Sequence, residues 1–148
     1  MKQRNNEKSA RTLRLPLWTY GRVVKALPYF RVLVASLREN WLAKQVARRK
    51  LARLTAFTQR AGRSEFLARA EAVRQAEQAE DELNKTQSEL QSLGGYCRHP
   101  GKGVALIPFR LEGALAWFVF DLYEPAGICA WRFHTDPHTM RRPLHPVD

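Results

Sequence analysis

The chain is poor in the residue types that most enzymes and metal proteins build their sites from. It has two cysteines and four histidines in 148 residues, and only 14 Asp and Glu against 25 Lys and Arg. Two cysteines cannot form a disulfide framework, so nothing calls for an oxidising compartment. The longest continuous apolar run, ALAWFVF at residues 114–120, is far too short to span a bilayer and suits a buried strand. No glycine-rich phosphate loop and no nucleophile beside a base are present. The opening MKQRNNEKSARTLRLPL is basic, with no apolar stretch of signal-peptide length. These absences point to a cytoplasmic protein with no membrane segment, no cofactor and no catalysis.

Positive charge is abundant, and it is unevenly placed. Residues 1–63 carry sixteen basic side chains against Glu7 and Glu39. Residues 64–94 carry three basic and seven acidic ones, and residues 95–148 six and five. Basic, acidic and near-neutral thirds therefore follow one another within a net charge of +11.

The patterning predicts an α+β protein: a long antiparallel two-helix hairpin over about residues 20–94, then a small three-stranded antiparallel β-meander over about 102–134. Residues 1–18 read as a disordered basic tail and residues 135–148 as a C-terminal tail, with 19–148 forming a single domain. Thr19 is a candidate N-cap for a short helical piece. Pro28 then either opens the long helix, where its missing N–H costs nothing, or lies inside one continuous helix. Leu27, Phe30, Val34, Leu37 and Trp41 share one face, and the stripe resumes at Leu51, Leu54 and Phe57. Gly62 can end this helix and Ser64 can cap the next. The second helix marks its buried side with Phe66, Val73, Ala76, Leu83 and Leu90, and Gly94 or Gly95 ends it. Two such helices make arms of roughly 45 Å at ~1.5 Å per residue. Three β-rich runs follow: GVALIPF, in which Pro108 suggests an edge strand or a bulge, then ALAWFVFDLY and ICAWRFH.

At its far end the sequence resembles a known family. ALPYFRVLVASLRE, the charged helices, and GVALIPF with FVFDLYEPAGICAWRFHTDPHTMRRPL are similar to the uncharacterised bacterial domain-of-unknown-function family 2203. The positions that carry the likeness are Leu27, Pro28, Glu124, Pro125, Trp131, Asp136, Arg141 and Pro143. Where that family has Trp-His in the last strand, Trp131 is followed here by Arg132. The resemblance implies a fold and brings no established function.

Three groups of residues are candidates for chemistry. The first is Cys97, His99, Cys129, His134, Asp136 and His138, whose spacing matches no common zinc pattern, so no metal site is expected. The second is the alternating charges of the meander: Asp121, Glu124, Arg132, Asp136 and Arg141. They form either ion pairs or a small anion-binding cleft built on Glu124, Trp131 and Arg141. The third is the basic run Lys44, Arg48, Arg49, Lys50 and Arg53, a candidate anion- or nucleic-acid-binding face. No aromatic residue lies among these cations to stack on bases. An antiparallel hairpin turning near residues 61 and 62 would set Arg53 beside Glu71 and Lys44 to Arg48 near Glu77, with Glu80, Asp81 and Glu82 level with residues 41–43.

The expected role is a non-catalytic interaction or assembly module that self-associates through its hairpin, helped by small residues at Ala68, Ala70, Ala72, Ala76 and Ala79. The expected partners are a second copy, and possible nucleic acid or an acidic protein. A nucleic-acid-associated protein is the alternative, and a small-molecule or metal-binding enzyme at the meander a remote one.

Overall fold

A computed structural model describes residues 15–56 and 62–144. Phe57, Arg60, the first fourteen residues of the expected tail and the last four residues lie outside the described range. Helix α1 spans Tyr20–Ala56 and α2 spans Arg63–Ser92. A 3₁₀ turn at Pro100–Lys102 precedes strands β1 (Val104–Leu111), β2 (Ala114–Asp121), β3 (Ile128–Phe133) and β4 (Arg142–Pro143). The architecture is α+β, and the sheet is antiparallel in the order β1-β2-β3-β4. The fourth strand comes from residues expected to belong to a tail. At two residues it is too short to show an alternating pattern.

Pro28 lies within a single continuous α1. Thr19 caps it, its hydroxyl accepting from the Arg22 N–H at 3.3 Å. Gly62, not Ser64, holds the N-cap position of α2. At the other end of α2, Gly94 takes a positive φ of 78° and donates to Gln91, while Gly95 donates to Leu90. That is the two-bond Schellman closure, and only glycine enters it without strain.

The core forms where one face of α1 meets one face of the sheet. Phe30, Leu33, Val34 and Leu37 pack with Leu83 and Leu90 of α2 and with Ala105, Ile107, Phe118 and Phe120 of the sheet. Strand pairing sets Ile107 opposite Phe118, and Phe118 opposite Trp131, so these three share the helix-facing side. A bulge between Val119 and Phe120 leaves Cys129 as the extra residue of β3. Leu111 and Ala114 are joined by Glu112 and Gly113, both at positive φ, the conformation that suits a two-residue hairpin.

Pro108 lies in the outer edge strand. Its carbonyl accepts from the Trp18 N–H at 2.9 Å, and Tyr96 pairs with Leu106 along the same edge. A residue's N–H and C=O point to the same side of a strand, so the N–H that Pro108 lacks would have faced this edge, away from β2. Residues 15–18, expected within the tail, are placed here. Trp18 also donates its indole N–H to the Leu93 carbonyl at 2.9 Å and packs edge-on against Phe30.

Candidate functional site

The last strand and its approach gather three of the positions singled out in the sequence: Trp131, Asp136 and Pro143. Asp136 accepts from the Phe133 N–H at 2.8 Å and from Arg142 Nε at 2.8 Å and Nη2 at 3.0 Å. Those hydrogen bonds, led by Arg142, hold its carboxyl below the ordinary value against the opposing effect of burial. The Arg142 guanidinium lies over Trp131 and Phe133, 5.4 and 5.1 Å from the ring centres. Pro143 pairs with Ala130 and fixes β4 to the sheet.

Other family-like positions meet at the opposite turn. Arg31 donates to the carbonyls of Glu124 and Pro125. Leu27 presses on Gly127, where a Cβ would come within 2.9 Å of its side chain. Pro28 follows it on an exposed stretch of α1.

The cleft expected from Glu124, Trp131 and Arg141 does not assemble. Trp131 points to the helix-facing side. Glu124 is exposed in the β2–β3 turn, and Arg141 pairs with Asp121 at 3.5 Å. Strand alternation, with the bulge at Cys129, turns Trp131 away from the side on which Arg141 and Glu124 act on Cys129.

The Cys and His set is likewise dispersed. The Cys97 thiol donates to the Val104 carbonyl at 3.2 Å, and burial pushes its pKa up to about 11. The Cys129 thiol donates to the Val119 carbonyl, and its pKa is also raised by burial, with Arg141 opposing the shift. Raised thiols are poor nucleophiles and poor metal ligands. His134 Nδ1 accepts the Trp117 indole N–H at 3.1 Å. Among the described residues no three metal-ligating side chains come together.

The basic run lies on the outer half of the hairpin. Lys44 bridges to Glu80 rather than Glu77, at 3.5 Å, and Lys50 donates to Gln75 at 3.5 Å, so the seam runs close to the register expected of a turn near residues 61 and 62. Glu71 binds Arg74 of its own helix rather than Arg53. That i,i+3 pair, through its hydrogen bonds first, lowers the Glu71 pKa. Arg48, Arg49 and Arg53 are exposed, with no ion pair among the described residues. Beyond Trp41 on α1 and before Leu83 on α2, the described residues bury only Ala47 and Ala72. Phe66, expected on the buried side, is 66 % exposed, beside Leu67 at 55 %, and Val46 on α1 is 64 % exposed. The sheet ends before reaching them, so an apolar residue there has nothing to pack on.

Sequence reasoning missed one feature. The sheet face turned away from the helices carries a cavity of about 350 Å³, with Arg98, His99, Lys102, Arg132, His138 and Arg141 in its wall. The residues come from three separate stretches, and only the folded sheet collects them. The alternation of β3 was the available signal: with Trp131 turned inward, Arg132 must face the other way.

Comparison with known protein families, curated proteins and solved structures finds no match to this chain. No helix among the described residues is long and apolar enough to cross a membrane.

Proposed function

We propose that this chain is a small non-catalytic interaction module that self-associates through the outer half of its hairpin. The observation that carries this reading is the exposure of Val46, Phe66 and Leu67 on a helix pair that buries only two alanines between them there. Phe66 and Leu67 are chain neighbours and Val46 lies nearer the sheet, and large apolar side chains left in water along one helix pair favour a covering surface.

A second copy suits that surface by charge. The outer half of α1 offers Arg48, Arg49 and Arg53, and α2 offers Glu77 and Asp81, none of them in an ion pair among the described residues. A two-fold arrangement that lays α1 of one protomer along α2 of the other is complementary to itself. The two free thiols agree with a reducing, cytoplasmic setting.

Sedimentation velocity across the micromolar range tests the reading. A concentration-dependent dimer or larger species that Val46→Glu with Phe66→Glu returns to monomer is the expected result. A wild-type monomer throughout the range defeats it.

The same unpaired arginines favour a second reading, in which α1 binds a nucleic-acid backbone. Binding would then be insensitive to sequence and fall steeply as salt rises. Fluorescence anisotropy with generic RNA and DNA at increasing salt distinguishes this reading. Weak binding at low salt rules it out.

A further inference from the structure

Arg132 occupies an unusual position for a cation. It is 5 % exposed, opposite Trp117 on the sheet face away from the helices. Its guanidinium donates to the Phe133 carbonyl at 3.2 Å, and among the described residues no carboxylate lies within 4 Å. The acids at this end of the sheet are engaged elsewhere, Asp136 by Arg142 and Asp121 by Arg141. Arg132 acts on Asp136 only at a distance, as the weakest of the influences on that carboxyl; burying a guanidinium with no carboxylate in contact is expensive, and an anion in the adjoining space offsets that cost.

The space beside it has the matching chemistry. Arg98, Lys102 and Arg132 lie in one wall with Arg141, which Asp121 partly offsets, and with the imidazoles of His99 and His138 among them; no carboxylate among the described residues lines it. Val104 and Leu106 supply an apolar floor. We propose that this cavity binds the terminal phosphoryl group of a small molecule. A dianion with three free oxygens answers several converging donors, and arginine forks suit its geometry. At about 350 Å³ the cavity exceeds a phosphate ion and leaves room for an organic remainder over the apolar floor.

The full chain is titrated with inorganic phosphate, and separately with dimethyl phosphate at matched ionic strength, following the imidazole NMR signals of His99 and His138. Inorganic phosphate moves both signals saturably, and dimethyl phosphate, a monoanionic diester, leaves them in place. Arg132→Gln abolishes the effect. Because a buried substitution can unfold the chain, the exposed pair Arg98→Ala with Lys102→Ala is the deciding variant. It weakens phosphate binding by about ten-fold or more and leaves the phosphate-free melting temperature unchanged. Signals that ignore both ions, equal responses to the two, or unaltered affinity in the double variant overturn the proposal.

Discussion

Arg142 holds both oxygens of Asp136 through Nε and Nη2, at 2.8 and 3.0 Å, while its guanidinium covers the Trp131 ring. One side chain thus joins the approach to β4, the turn after β3 and the aromatic side of the sheet. A planar fork that both pairs and stacks is a use of arginine that lysine cannot reproduce. β4 contributes only two residues to the ladder, so this contact does much of what strand pairing does elsewhere.

Asp136→Asn is therefore expected to lower the melting temperature at neutral pH, with a gap to wild type that closes in acid. The Asp136 pKa is held below its ordinary 3.8, chiefly by the hydrogen bonds from Arg142. A carboxyl with a lowered folded pKa contributes stability above its unfolded value and loses it as pH falls through the folded one. Melting curves from neutral pH down through 3.8 read this directly. A gap that stays constant to the acid end contradicts the assignment.

Trp18 stabilises the fold from outside the hairpin and strands. Its backbone N–H reaches the Pro108 carbonyl, its indole N–H the Leu93 carbonyl, and its ring meets Phe30 at 5.2 Å. Trp18→Phe keeps the ring contact and loses one hydrogen bond, for about 1 kcal/mol. Trp18→Ala also empties the site above Phe30 and costs about 3 kcal/mol. Urea unfolding separates the two. An alanine variant within about 0.5 kcal/mol of wild type would return residues 15–18 to the tail.

The helices were legible because their pattern is periodic and their partner is local. The stripe from Phe30 to Leu37 repeats at three and four, and once the chain doubles back a register close to the one that brings Lys44 to Glu80 follows from arithmetic. Phe66 was misjudged because periodicity shows which face a side chain takes, not whether anything covers that face. The cavity was illegible for a different reason. Arg98, Lys102, Arg132 and Arg141 are scattered over more than forty residues, and their meeting depends on the Cys129 bulge and on which strand edge Tyr96 joins.

Cys97 is expected to resist alkylation in the native state. Its thiol is half-buried and donates to the Val104 carbonyl, with a pKa pushed up to about 11. Near pH 8 its thiolate fraction is roughly a hundred-fold or more below that of an ordinary cysteine at about 8.5. Iodoacetamide labelling followed by mass spectrometry should show slow reaction at Cys97 that accelerates towards pH 11 and becomes ordinary on unfolding in urea. Rapid native labelling near neutrality would mean that the thiol is not shielded.

The hairpin seam contains one polar connection that apolar packing does not require. Asn40 Nδ2 donates to Thr86 Oγ1 at 2.8 Å, and Thr86 Oγ1 donates to the Glu82 carbonyl at 2.8 Å. Thr86 is buried, and its hydroxyl keeps the Glu82 bond within its own helix but accepts from Asn40 only while the helices hold this alignment. A half-turn slip of α2 would leave the Asn40 amide and the hydroxyl without each other, which penalises alternative registers. Asn40→Ala should cost about 1 kcal/mol. Thr86→Val added to it should cost less than it does alone, because the hydroxyl has already lost its partner across the seam and keeps only Glu82 of its own helix. A double-mutant cycle by urea unfolding measures that coupling. Costs that simply add would show that Asn40 and Thr86 stabilise the seam independently, leaving its register to the apolar stripe and to Lys44 with Glu80.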